Sequence, residues 1–133
     1  MRAHSSFDYA LVRVVPRVER GECLNAGVIV FCRTRRFLAA RVELDAGRLL
    51  ALDPRADRDD IARHLATIPR IAAGEADAGP IARLSQAERF HWLVSPSSAI
   101  VQPSPVHSGL CTDPAAALDH LLETMVRLPA REE

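Results

Sequence analysis

Six polar side chains in two stretches are of the types that hold an anion or move a proton. Arg13, Arg20, Glu22 and Asn25 lie within RVVPRVERGECLNAG (13–27), and Ser104 and His107 within SPVHSG (104–109). A guanidinium forks onto a carboxylate or phosphate through two hydrogen bonds. If the two stretches converge, the six residues form a site for an anionic ligand, a phosphate or a nucleotide. If they do not, a structural role serves as well: Glu22 pairs with Arg20 or Arg13, and Asn25 caps a turn through its own backbone. Ser104 with His107 invites a hydrolase reading, but there is no G-x-S-x-G elbow and no carboxylate selects itself to orient the imidazole. Cys111 lies near His107, with nothing nearby to lower its thiol pKa. The histidines show no metal-ligand spacing, and Gly21 and Gly27 match neither the P-loop nor the dinucleotide pattern. The residues therefore lean away from an enzyme and imply no cofactor and no metal.

The 133 residues carry 17 basic and 17 acidic side chains, and every basic one is arginine. Zero net charge argues against nucleic-acid binding through bulk electrostatics. A local contact through Arg33, Arg35 and Arg36 stays open, although an aromatic content of 5% is poor material for base stacking. Length and a 48% hydrophobic content fit a single domain over residues 1–133, with an ordered core of about 7–128. No apolar stretch is long enough to span a membrane, and the start lacks the apolar segment of a signal peptide; the expected location is the cytoplasm. Cys23, Cys32 and Cys111 form no C-x-x-C pair, so neither a disulfide framework nor a zinc site is expected. Cys32 reads as a small buried hydrophobe.

The elements that must position these residues are legible in outline. FDYALVRVV (7–15) reads as a strand with Phe7, Tyr9, Leu11, Arg13 and Val15 on one face. Arg13 is the odd member there, destined for a rim or a buried partner. Residues 25–32 contain the run Val28-Ile29-Val30-Phe31, a strand buried on both faces. Residues 36–44 form a third strand after a basic turn, and such short links favour an antiparallel meander. Residues 45–53 are a short helix or a turn. Asp57 caps a helix over 57–72, which Pro69 ends or kinks. Residues 74–80 form a mobile loop. Ser85 and Glu88 make a capping box for a short helix over 85–93. Ser95–Gly109 is extended, with an edge strand at 98–102, because prolines suit sheet edges. Asp113 and Pro114 open a helix to 127 with Leu118, Leu121, Leu122 and Met125 as its apolar stripe, and Arg131-Glu132-Glu133 frays. The expected fold is α+β: an antiparallel sheet of three to four strands packed against two main helices and one short helix. Its core is Leu11, Val28, Val30, Leu38, Val42, Ile61, Leu65, Phe90, Leu118 and Leu122.

The order Arg13, Pro16, Arg20, Gly21, Glu22, Asn25, Gly27, Val28 resembles the opening motif of the bacterial domain-of-unknown-function 3037 family. Phe90-His91-Trp92-Leu93, and Ser104 to Leu110 followed by a helix near Asp113-Pro114, are similar to that family's C-terminal half. The resemblance spans about residues 7–127; Cys23 departs from a position that is more often aromatic. The family has no established activity. The resemblance implies genomic proximity to HipA-like kinases, and so a small interaction or accessory protein with such a kinase as partner. Oligomeric state is not legible.

Overall fold

A computed structural model describes residues 3–129; the predicted fraying of Arg131-Glu132-Glu133 falls outside them. Five strands form one antiparallel sheet: β1 (Ser5–Val14), β2 (Leu24–Cys32), β3 (Phe37–Val42), β4 (Val101–Pro103) and β5 (His107–Cys111). The order β3-β2-β1-β4 realises the predicted meander, and β5 also pairs with β1. The expected three to four strands become five because β4 and β5 share one side of the ten-residue β1. β4 takes its C-terminal half, Val12–Val14, and β5 its N-terminal half, Ser5–Tyr9. The fourth strand begins later than expected, at Val101, although the Val15 amide still bonds the Ile100 carbonyl at 2.6 Å.

Helices cover both faces. On one, α1 (Ala46–Leu52), α2 (Arg58–Ala73) and α3 (Gln86–Leu93) bury Leu49, Ile61, Leu65 and Phe90 against Val12, Val14, Ile29 and Phe31. On the other, α4 (Pro114–Leu121) and its π-helical continuation Leu122–Val126 bury Leu118, Leu121 and Leu122 against Phe7, Leu11, Val28 and Val30. Alternate residues of β2 point to opposite faces, so the all-apolar run at 28–31 serves both clusters. Cys32 is fully buried beside it, as expected. Val42 is only half-buried, because β3 ends at that residue on the sheet's outer side. Met125 leaves the expected stripe and is exposed. The π turn adds a residue per turn and rotates it away from the sheet.

The local signals hold where their partners lie nearby in sequence. The Asp57 carboxylate accepts from the Asp60 amide, Ser85 and Glu88 close the capping box, and Asp113 caps α4 ahead of Pro114. Pro69 does not end α2, which runs four residues further. The lost hydrogen bond is offset by burial of Ile71 and Ala72 in the next turn and by Gly74, whose left-handed backbone (φ 72°) closes the helix. Arg70 then holds the following loop through Glu75 at 2.7 Å and Asp77 at 2.9 Å.

Gly27 marks a close strand contact. The register slips by one residue between Val12 and Arg13, leaving Ala26 as the extra residue of β2. A Cβ on Gly27 would stand 2.8 Å from the Arg41 carbonyl oxygen and 2.9 Å from a Val42 methyl. Backbone cannot swing aside as a flexible side chain does. Gly27→Ala is expected to lower unfolding free energy by about 1–3 kcal/mol, read as a lower urea midpoint at unchanged slope.

Candidate functional site

The two polar stretches meet at β1, but most of their functional groups are engaged by the chain itself. Ser104 sits where the edge passes from β4 to β5. Its amide donates to the Leu11 carbonyl at 2.8 Å, and its Oγ accepts from the Leu11 amide at 2.8 Å. The hydroxyl donates in turn to the Pro105 carbonyl at 2.9 Å. The pairing offset changes by one residue across this junction, so the edge carries a bulge there. The Ser104 side chain replaces the carbonyl that a regular strand would offer to Leu11. Among the described residues it is the buried polar one, at 3% exposure, and has neither the access nor the spare proton of a nucleophile.

His107 stands opposite Tyr9 on β5 and stacks on its ring, centroids 5.4 Å apart. It orders the segment by ring contact. Asn25 does not cap its own turn: its amide donates to the Met125 carbonyl at 3.0 Å, across 100 residues. The Arg48 guanidinium reaches the Val126 carbonyl at 3.3 Å, and Arg127 bonds Glu43 at 2.9 Å and Glu123 at 2.7 Å. Together these groups fasten the end of the last helix to β2 and α1, where its final carbonyls lack helical partners. The hydrogen bond and charge of Arg127 hold the Glu43 carboxyl below its ordinary value.

Arg20 and Glu22 pair with each other in the exposed β1–β2 connection, with Gly21 taking a left-handed turn (φ 70°) between them. Arg13 is half-buried, opposite Asn25 on β2 and Gln102 on β4. Among the described residues its guanidinium has no carboxylate partner. His107 is reached from Arg13 only by passing from Tyr9 along four residues of β1, roughly 13 Å at ~3.3 Å per residue. The structure therefore brings Arg13 and Asn25 side by side and leaves Arg20–Glu22 and His107 at separate places.

The other candidates divide similarly. Arg35 bonds Ser5 Oγ at 2.9 Å and the Ala3 carbonyl at 2.8 Å. Arg36 turns the hairpin with positive φ (51°) and offers its carbonyl to Gln86. Arg33 alone of the three faces a hollow, of about 410 Å³, floored by Phe31 and Phe90 and rimmed by His91 and Asp8. Burial, and after it the neighbouring Cys32, push the Cys111 thiol above its ordinary value of 9.0, so it is not an activated nucleophile. No cluster of metal-ligating side chains exists among the described residues, and no helix there is long and apolar enough to cross a membrane.

A larger concavity than the Arg33 hollow lies elsewhere. A groove of about 690 Å³ opens between α2, the 95–100 segment and β4. Ile61, Ile68, Trp92, Leu93, Ile100 and Val101 line most of it, with His64, Thr67 and Gln102 at polar positions. Trp92 is 50% exposed and Ile100 43%. The polar, proline-rich run 95–109 carried the signal for this groove in Ile100 and Val101. Which side of the sheet they would border depended on pairing with β1, which no local pattern encodes.

A family model described as a protein of unknown function, DUF3037, matches residues 9–126. The chain belongs to the DUF3037 family. The match begins inside β1 and closes at the end of the π turn, so both helical layers of this DUF3037 chain lie within it. No curated protein and no solved structure matches the chain.

The Ser104 geometry gives a direct expectation. Ser104→Ala leaves the Leu11 amide without its buried acceptor, at a cost of about 1–3 kcal/mol. Thermal and urea unfolding of the variant should both register the loss, and an unchanged stability would contradict the bridging role.

Proposed function

We propose that this DUF3037 chain is a non-enzymatic interaction module, folded as one domain over about residues 7–128, that acts in the cytoplasm with a HipA-like kinase encoded nearby. The observation that carries this reading is how the polar groups are used. The Ser104 hydroxyl and the Asn25 amide satisfy backbone groups of Leu11 and Met125, whereas a groove of about 690 Å³ is mainly apolar, with Trp92 and Ile100 standing open at its rim. Exposed aromatic and aliphatic anchors beside a concave apolar surface suit protein recognition.

The test is co-expression with the neighbouring kinase. The intact pair should co-purify across several salt concentrations. Trp92→Ala with Ile100→Ser should weaken the complex by about tenfold or more, the loss expected of a hot spot, while leaving the unfolding midpoint close to that of the parent chain. Failure of two folded proteins to associate would overturn the reading.

A second reading has one observation in its favour. Arg13 is a half-buried cation without a carboxylate partner among the described residues, so an anionic ligand, a phosphate or nucleotide, would find an open guanidinium between β2 and β4. Arg20, Glu22, Asn25, Ser104 and His107 would complete that site only by local rearrangement. Titration calorimetry with inorganic phosphate and with ATP should then give binding that Arg13→Met abolishes, and absence of heat at low salt removes this reading.

A further inference from the structure

Backbone direction along β1 decides which groups of the edge face outward. Leu11 exchanges hydrogen bonds with Ser104, so the odd-numbered residues of β1 direct their backbone toward β4 and β5. The even-numbered ones direct theirs toward β2, since both backbone groups of a strand residue point to one side. With Tyr9 opposite His107, Phe7 opposite Gly109 and Ser5 opposite Cys111, those are the bonded pairs. Ser108 and Leu110 then turn their N–H and C=O groups away from the sheet. β1 is the element against which β5 packs, and no helix packs comparably on its outer side among the described residues.

Natural sheets guard such edges with charge, proline or a covering element. The rest of this sheet does so. Pro103 occupies an outward-facing position of β4, where its missing N–H removes a donor. β3, at the opposite edge, carries Arg41 paired to Asp119 and is packed by α2 and α4. β5, HSGLC, has no proline, no acidic residue and no arginine. It presents Leu110 at 72% exposure, with Val106 beside it at 43%.

We propose that β5 pairs antiparallel with β5 of a second copy of this chain, about a two-fold axis through Gly109, joining two sheets into one. The register follows from the outward groups. Ser108 of one copy faces Leu110 of the other, and each of the two symmetry-related pairs exchanges both its backbone hydrogen bonds. Gly109 meets its own equivalent at the axis as a non-bonded pair, the closest approach in an antiparallel ladder, with no side chain to obstruct it. On the face that carries Ser108, Leu110 lies diagonal to the second copy's Val106, within reach of an aliphatic contact. The Ser108 hydroxyl is already fixed, donating to Asp8 at 2.8 Å, so pairing orders little that is not ordered. Zero net charge removes long-range repulsion between copies. A strand this short buries less than a standard interface, so the dimer is concentration-dependent.

Sedimentation equilibrium of the full chain from micromolar to millimolar concentration should show reversible monomer–dimer exchange. Leu110→Glu alters a solvent-facing side chain and should shift the midpoint to at least about tenfold higher concentration. Ser108→Lys/Leu110→Glu places each lysine opposite the other copy's glutamate and should restore dimerisation, with the restored part falling as salt rises. A chain that is monomeric throughout overturns the proposal, whether its edge is idle or takes another protein's strand. Dimerisation that Leu110→Glu leaves untouched, or that the double variant fails to restore, overturns it equally.

Discussion

The hydrogen bond from the Leu11 amide to the Ser104 hydroxyl is the join on which the arrangement of this sheet depends. β1 is longer than either strand available to pair with its outer side, so two short strands share it with a bulge between them. A break in a buried ladder leaves an amide without an acceptor, and such a group is costly in a low-dielectric interior. One serine at the break supplies the acceptor from its side chain and keeps its own amide on Leu11. The sheet can then continue unbroken from β4 to β5 while the chain path bends at Pro105.

The same economy governs the rest of the polar motif. Asn25 lies 100 residues from the carbonyl it satisfies, at the end of the helix that covers the Val28 and Val30 face of β2. In three dimensions the motif residues serve the chain itself: Asn25 ties the first hairpin to the last helix, Ser104 joins β1, and Arg20 pairs with Glu22. Arg13 is the exception. It shares the strand and the neighbourhood but not the engagement, which is why an anion remains a reasonable alternative occupant there. Of the exposed apolar residues, Trp92 and Ile100 stand at the groove and Leu110 on β5, with Val106 just before it.

What could be read from the sequence follows the range of the interactions. The caps at Asp57, Ser85 and Asp113 were legible because donor and acceptor sit within three residues. The run at 28–31 was legible because burial on both faces leaves no polar position. Pro69 misled because the compensating burial of Ile71 and Ala72 lies beyond it and depends on tertiary packing. β5 was invisible, since HSGLC has neither alternation nor β-branched residues, and it is a strand only because β1 offers it a ladder about 100 positions away. The six site candidates were legible as polar groups needing partners. The Arg20–Glu22 pair was legible because its members stand two residues apart; the partners of Ser104 and Asn25 were not, because Leu11 and Met125 contribute only backbone, which leaves no trace in side-chain pattern.

Amide hydrogen exchange at Leu11, followed by NMR, reads the Ser104 bridge itself. Exchange at Leu11 in the parent chain should be slow, comparable with Val12 in the ladder beside it. Ser104→Ala should accelerate it selectively, more than any change at Ile29 on the far side of β1. Rapid exchange at Leu11 in the parent chain, or an amide indifferent to the loss of the hydroxyl, would contradict the bridge.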